Sequence, residues 1–150
     1  MIKELLFATF GTIGFGLLFH ANKNKVFYIG LGGFLNYLSY YLVFKYTNNV
    51  FLSSMVCAIV TSIYSNIMAV ILKCPSTIFI LTGLIPVVPG SSLFYMMNGL
   101  VMNDYVIAKM HLVIVVKVII GIVAGMSLST VIVTFIREFV KHFKVINKKC

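Results

Sequence analysis

Acidic residues are scarce in this sequence: 3 of its 150 residues are Asp or Glu, and 10% are charged. A soluble domain carries about 25% charged residues, so this chain has too few to coat a globule in water. The acids, Glu4, Asp104 and Glu138, lie near the ends of apolar segments. No apolar segment therefore holds a carboxylate pair for acid–base catalysis or a proton relay, and we predict that the protein is not an enzyme.

Disulfide and metal-binding patterns are lacking as well. The three cysteines form no CxxC pair, and the three histidines lie far apart, without metal-ligand spacing. We predict no cofactor and no metal. The residues concerned are Cys57, Cys74 and Cys150, and His20, His111 and His142.

Apolar residues dominate instead, at 61% of the chain with a mean hydropathy of +1.06. Most of the surface is therefore predicted to face a lipid bilayer. The net charge of +9 would indicate a nucleic-acid partner in a soluble protein. Here the charges lie between apolar runs and in the C-terminal tail, as membrane topology requires, and they form no basic face interleaved with stacking aromatics, so we predict no nucleic acid.

The apolar runs predict an all-α integral membrane protein with about five transmembrane helices in a single polytopic domain, residues 1–150. Each run approaches the roughly 20 residues that a spanning helix needs, although the first is short. The predicted spans are about 5–19, 26–44, 50–72, 76–102 and 111–136, followed by a basic tail, 137–150.

Basic residues are distributed unevenly between the two sides of such a bundle. Lys3, Lys45 and Lys109 lie on one side. The positive-inside rule places the other, richer side in the cytoplasm, so the N-terminus is predicted outside and the C-terminus inside the cytoplasmic membrane. The tail is either a topology signal or a segment that lies on the anionic leaflet. The richer side holds Lys23, Lys25, Lys73, Arg137, Lys141, Lys144, Lys148 and Lys149.

Small and polar residues recur at four-residue spacing in three spans. Membrane helices use small residues for close approach and polar ones for hydrogen bonds, so these positions are predicted to face other helices. For each of these rows of residues, helix packing without a further function is the default interpretation. The positions are Ala8, Thr12 and Gly16 in the first span, Ser54, Ala58, Ser62 and Asn66 in the third, and Lys117, Gly121, Gly125 and Ser129 in the fifth.

Lys117 is the least expected of these residues, because a lysine near a helix centre costs about 2.5–3.5 kcal/mol on insertion scales. It lies about six residues inside the predicted fifth span, so it either snorkels to the interface or acts inside the bundle. Asn36 and Asn66 are predicted to form interhelical hydrogen bonds, with substrate contact as the alternative.

The fourth span is interrupted at Pro86, Pro89 and Gly90, which cannot continue a regular helix. Irregular backbone at membrane depth survives only when it is buried in protein or lines a cavity. We predict a second half-helix with Ser91 or Ser92 as its N-cap, whose N-terminus suits a carboxylate. A kinked or re-entrant helix without a ligand is the alternative.

The stretch PSTIFILTGLIPVVPG, residues 75–90, resembles the signature of the threonine/serine exporter family, in its small-subunit branch. Gly16-Leu17-Leu18-Phe19 at the end of the first span and Tyr95 after the Pro-Gly are also similar. The likeness in organisation covers nearly the whole chain. This sequence departs from the family's pattern at Thr82, where the family often has a second proline, so a less bent first half-helix is expected.

The resemblance implies a small subunit of a two-component secondary transporter that exports threonine and serine, or a dicarboxylate such as succinate. The expected partner is a larger membrane subunit of the same family. Pro86, Pro89, Gly90, Ser91 and Ser92 would then line the pathway, with Asn66 or Lys117 at the substrate. The alternatives are a non-transporting structural or assembly subunit, a membrane-embedded enzyme and a single-chain channel.

Overall fold

A computed structural model describes residues 2–19, 21 and 23–146 of the chain. Every regular element in these residues is a helix. Predictions on His20 and on Lys148, Lys149 and Cys150 lie outside the described residues. The helices are α1 (Ile2–Leu18), α2 (Lys23–Thr47), α3 (Val50–Ile71), α4 (Ser76–Leu84), α5 (Gly90–Val101) and α6 (Tyr105–Ile146), with a 3-10 turn, Ile85–Val87, between α4 and α5.

Two capping residues set helix starts. Asn49 accepts a hydrogen bond from the Phe51 N–H over 3.1 Å and begins α3, close to the predicted start. Asp104 accepts from the Ile107 N–H over 3.2 Å and begins α6 at Tyr105. The helix thus starts six residues before the predicted fifth span, because an aspartate at an N-cap satisfies a free backbone donor.

Among the described residues, three helical segments are long and apolar enough to cross a membrane: Lys25–Thr47, Val50–Ile71 and Tyr105–Ile136. A bent pair, Ser76–Val87 and Gly90–Val101, makes a fourth if it counts as one span; its two parts meet at 55°. The 17-residue α1 is shorter than any of these. Large apolar side chains are exposed along all six helices, as expected for surfaces that contact lipid.

Neighbouring helices α1 and α2 run antiparallel. Near the start of α1, the Tyr37 hydroxyl donates to the Glu4 carboxylate over 3.3 Å. Near its end, a Cβ on Gly16 would meet Ile29 at 3.0 Å. Residue numbers in α2 fall as those in α1 rise, so the two helices lie side by side over most of α1.

Helix α3 packs against α2, α4 and α6 and so occupies the centre of the bundle. It is antiparallel to α2, since the Tyr64 hydroxyl donates to the Tyr28 carbonyl over 2.7 Å and Asn36 donates to Thr61.

The packing of α3 against α6 is parallel. A Cβ on Gly121 would collide with Ser54, and one on Gly125 would meet Ala58 at 2.9 Å, so residue numbers rise together in the two helices. The chain must therefore return from the end of α3 to the start of α6, and α4 and α5 make this return.

The return segment runs beside both helices. In α4, a Cβ on Gly83 would meet Thr61 of α3 at 2.8 Å, and α4 also packs on α2 and α1. After the bend, α5 packs mainly on the first half of α6, where a Cβ on Gly99 would meet the Ala108 backbone at 2.9 Å. Helix α4 thus belongs to the α1–α3 side of the bundle and α5 to the α6 side.

Candidate functional site

The break between α4 and α5 follows directly from its two prolines. Proline has no backbone N–H and clashes with the preceding turn, so Pro86 cannot donate to the carbonyl of Thr82. The chain tightens into the 3-10 turn at Ile85–Val87, and α5 starts at Gly90 in a new direction. Upstream, α4 is one continuous helix through Thr82.

One side of the break is buried in the bundle, while Val88, Gly90 and Ser91 are exposed. Val87, in the 3-10 turn, is 7% exposed and packs in one core cluster with Cys57 of α3 and Val118 of α6. Both partners lie well inside long apolar segments. Irregular backbone at this depth is tolerated when protein surrounds it.

Two backbone donors are free at the start of α5. Pro89 precedes the helix and forms no side-chain cap, so the prediction that Ser91 or Ser92 is the N-cap is wrong; they are the second and third helical residues. Gly90 donates to the Val88 carbonyl over 2.8 Å and Leu93 to the Pro89 carbonyl over 2.9 Å. Among the described residues, the N–H groups of Ser91 and Ser92 have no acceptor.

The residues at the start of α5 are not fully packed by the rest of the chain. Ser91 is exposed and Ser92 half-buried, and a Cβ built on Gly90 meets nothing within 4 Å. A helix N-terminus carries partial positive charge and binds anions through its free N–H groups. The start of α5 can therefore receive a carboxylate.

A buried polar pair lies close to the end of α4. Asn36 of α2 donates through Nδ2 to the Thr61 hydroxyl of α3, and both side chains are almost fully buried. The methyl group of Thr61 lies against Gly83, so the pair is in contact with the last turn of α4. Asn36 thus forms an interhelical hydrogen bond, and its Oδ1 has no partner among the described residues.

A second polar region is a cleft of about 180 Å³ between α3, α4 and α6. Asn66 lies in its wall and donates to the Ser62 carbonyl over 2.9 Å. Helix α4 contributes its first residue, Ser76. The remaining lining residues are Ile80, Met126, Thr130, Val133 and Thr134.

Lys117 does not line the cleft at Asn66. Its side chain is exposed on α6, whereas Gly121 and Gly125 of the same predicted row are buried against α3. Because α6 begins at Tyr105, Lys117 lies twelve residues along it, about 18 Å from its start.

The other predicted packing residues lie where helices approach. Thr12 is fully buried against Gly33 of α2, and Gly16 is buried against Ile29. Ala8 is half-buried and accepts a hydrogen bond from Thr12 over 2.7 Å. Ser54, Ala58 and Ser62 are buried on α3.

Sequence reasoning missed Thr61, Gly83 and the cleft residues Ser76, Thr130 and Thr134. Thr61 lies one residue from the predicted row through Ser62, on the face that meets α2 and α4. No spacing rule within α3 distinguishes these two faces, because each is lined by small or polar residues.

These features define first a class: a multi-pass helical membrane protein with apolar outer surfaces and, in the part of the chain that the structure describes, a bent pair of helices. The chain belongs to the threonine/serine exporter family, since the family model described as "Threonine/Serine exporter, ThrE" matches residues 4–132 of 150. The match includes α1 to α5 and most of α6. No curated protein and no solved structure matches the chain. Membership places the protein among transporters of the threonine/serine exporter type.

Proposed function

We propose that this chain is the small subunit of a two-component secondary exporter in the cytoplasmic membrane. Its cargo is a small metabolite with a carboxylate, either threonine and serine or a dicarboxylate such as succinate. The family supplies the transporter class. The observation that carries the proposal is the pair of N–H groups at Ser91 and Ser92, which have no acceptor among the described residues and lie directly after the break.

Carboxylate binding at this point is physically favoured. Two parallel N–H donors can hold both oxygens of one carboxylate, and the dipole of α5 adds attraction. Secondary transporters use such half-helix ends near the bilayer midplane to bind anionic groups. Pro86, Pro89 and Gly90 form the break, while Ser91 and Ser92 supply the contacts.

Five membrane passes are part of this proposal. Helix α1 has 17 residues, about 25 Å at 1.5 Å per residue, at the lower limit for a span, and it runs beside α2 over most of its length. The parallel packing of α3 and α6 supports a full crossing by α4 and α5. A re-entrant segment would return to its starting side and leave α3 and α6 antiparallel.

The proposed orientation follows the charges. The N-terminus lies outside and the C-terminus in the cytoplasm, because the first and third loops and the tail carry most of the basic residues. Helix α6 continues to Ile146 into the basic tail, which we assign to the cytoplasm.

A larger membrane subunit of the same family is proposed as the partner. Five passes start and end on opposite sides, so two such units related by an inverted repeat form a common transporter design with the site at their interface. The α3–α4–α6 cleft at Asn66 opens on the surface of this chain, where a second unit would close it. A structural subunit that only stabilises the larger chain is the competing possibility.

Ser91→Pro tests the proposed contact most sharply. Proline in the first turn of a helix removes an N–H that has no intrahelical acceptor, so the helix tolerates it. Ser91→Ala is the matched control because it removes the hydroxyl and keeps the N–H. We expect Ser91→Pro to abolish export and Ser91→Ala to retain most of it, with equal membrane abundance of both variants and of the partner.

Equal export by both variants would remove the Ser91 N–H from the pathway. If every polar substitution at the break left export intact while deletion of the chain depleted the partner, the structural role would replace the proposal.

A further inference from the structure

Asn36 Oδ1 is a buried acceptor in the middle of the bundle. The side chain is 0% exposed, and the amide is held on one side by its hydrogen bond to Thr61. Its oxygen has no hydrogen-bond partner among the described residues. Native proteins rarely leave such a group unpaired because its desolvation is not offset, so this oxygen needs a ligand.

Further oxygens lie beside Asn36. The Thr61 hydroxyl oxygen is its direct partner and can still offer a lone pair. The methyl group of Thr61 lies against Gly83 in the last turn of α4. In that turn Pro86 cannot donate to the Thr82 carbonyl, and Thr82 is 0% exposed. The Asn36 amide and the Thr61 hydroxyl are therefore buried together, and Thr61 contacts the last turn of α4.

The electrostatics of this neighbourhood favour a cation. The C-terminal end of a helix carries partial negative charge, and α4 ends at Leu84, directly after Gly83. Asn36 and Thr61 lie near the midpoints of α2 and α3. The start of α5, across the break, has the opposite polarity, so cation and carboxylate would bind at different half-helix ends.

We propose that Asn36, Thr61 and the last turn of α4 form a binding site for a small monovalent cation such as Na⁺. Neutral oxygens of this kind are the ligands of hard cations. A divalent ion is disfavoured because no carboxylate lies at the site; the chain's three acids, Glu4, Asp104 and Glu138, lie outside the middle parts of α2, α3 and α4. Among the described residues, no group of His, Cys, Asp and Glu could hold a metal ion. A role of this cation in driving export rests on the proposed function, whereas binding does not.

Thermal unfolding of the purified full-length chain in detergent tests the site. NaCl is titrated against choline chloride at constant ionic strength, so that only the identity of the cation changes. We expect the Tm to rise with Na⁺ and to saturate, since a ligand that binds only the folded state stabilises it. A Tm that does not depend on Na⁺ overturns the proposal and leaves a buried water as the partner of Asn36.

Two variants at Asn36 sharpen the result. Asn36→Leu is expected to remove the Na⁺ dependence, whereas Asn36→Asp adds a negative charge and is expected to lower the half-saturating Na⁺ concentration about tenfold or more. Asn98→Asp is the matched control, because Asn98 is exposed on α5 and is expected to leave the titration unchanged. An identical shift in both aspartate variants would indicate a nonspecific charge effect and contradict the site.

The wild-type titration decides the question even if Asn36→Leu fails to fold. Saturable Na⁺ stabilisation without export in any assay would preserve the cation site and count against the proposed function. Export without any effect of Na⁺ on the Tm would support the proposed function and overturn the cation site.

Discussion

Gly83→Ala is the substitution that most directly tests the packing of α4 on α3. The added Cβ would lie 2.8 Å from the Thr61 methyl carbon and near no other group outside its own helix. Thr61 cannot simply rotate, because threonine is restricted at χ1 and its hydroxyl is held by Asn36. Overpacking of this kind costs about 1–3 kcal/mol, offset by about 1 kcal/mol from the better helix propensity of alanine. We expect a net loss of up to about 2 kcal/mol.

Thr61→Ser provides the rescue, because it removes the colliding methyl and keeps the hydroxyl that Asn36 needs. Alone it should cost about 1 kcal/mol for the lost methyl. In the double variant, the methyl group introduced by Gly83→Ala occupies the vacated space, so we expect stability near that of the wild type and a coupling energy of about 1–3 kcal/mol. The assay is equilibrium unfolding in mixed detergent micelles followed by circular dichroism. Losses that simply add, within about 0.5 kcal/mol, would refute the reasoning. Gly90→Ala, which meets open space, is the control and should cause no such loss.

Three further expectations follow from the same contacts. Gly125→Val should push α3 away from α6 and strongly lower the Tm in detergent, because the added Cβ meets the Met55 backbone carbonyl. Gly14→Val is the control and should be tolerated, because a Cβ at Gly14 meets no other group. Equal losses of Tm in the two variants would contradict the close approach of α3 and α6. Asp104→Ala should lower stability by about 1 kcal/mol through loss of the α6 N-cap, and Asp104→Asn should not; the difference in unfolding free energy checks this. The side of the membrane on which each loop lies can be tested with single cysteines in a chain whose Cys57, Cys74 and Cys150 are replaced. A membrane-impermeant maleimide should label Asn103→Cys in intact cells and Lys73→Cys only after lysis. Labelling of both cysteines from the same side would support a re-entrant segment.

Apolar runs were enough to predict the helical class and the approximate positions of α2, α3 and α6. The ends of these helices could not be predicted from the apolar runs, because caps and polar residues, rather than hydropathy, determine where a helix begins and ends. Asp104 begins α6 six residues before the apolar run that predicted it. At the other end α6 continues to Ile146, into the predicted tail.

Some features of the candidate site could likewise be predicted from the sequence, and others could not. Pro86, Pro89 and Gly90 are readable from sequence because proline chemistry is local, whereas the N-cap at Ser91 or Ser92 was wrong, since α5 starts directly after Pro89. Asn36 was predicted to form an interhelical hydrogen bond, but its partner, Thr61, depends on how α2 and α3 pack. That information lies in the tertiary structure and not in the period of either helix.

The measurement that tests the central claim most directly is metabolite efflux from cells that lack their own amino-acid exporters. The cells are loaded with threonine-containing dipeptides or, separately, with succinate, and express this chain alone or with the neighbouring large membrane protein of its genome. The account predicts efflux only when both chains are present, with the faster substrate identifying the cargo. Efflux from this chain alone, or no efflux of either substrate despite membrane assembly of both chains, would contradict a two-component carboxylate exporter.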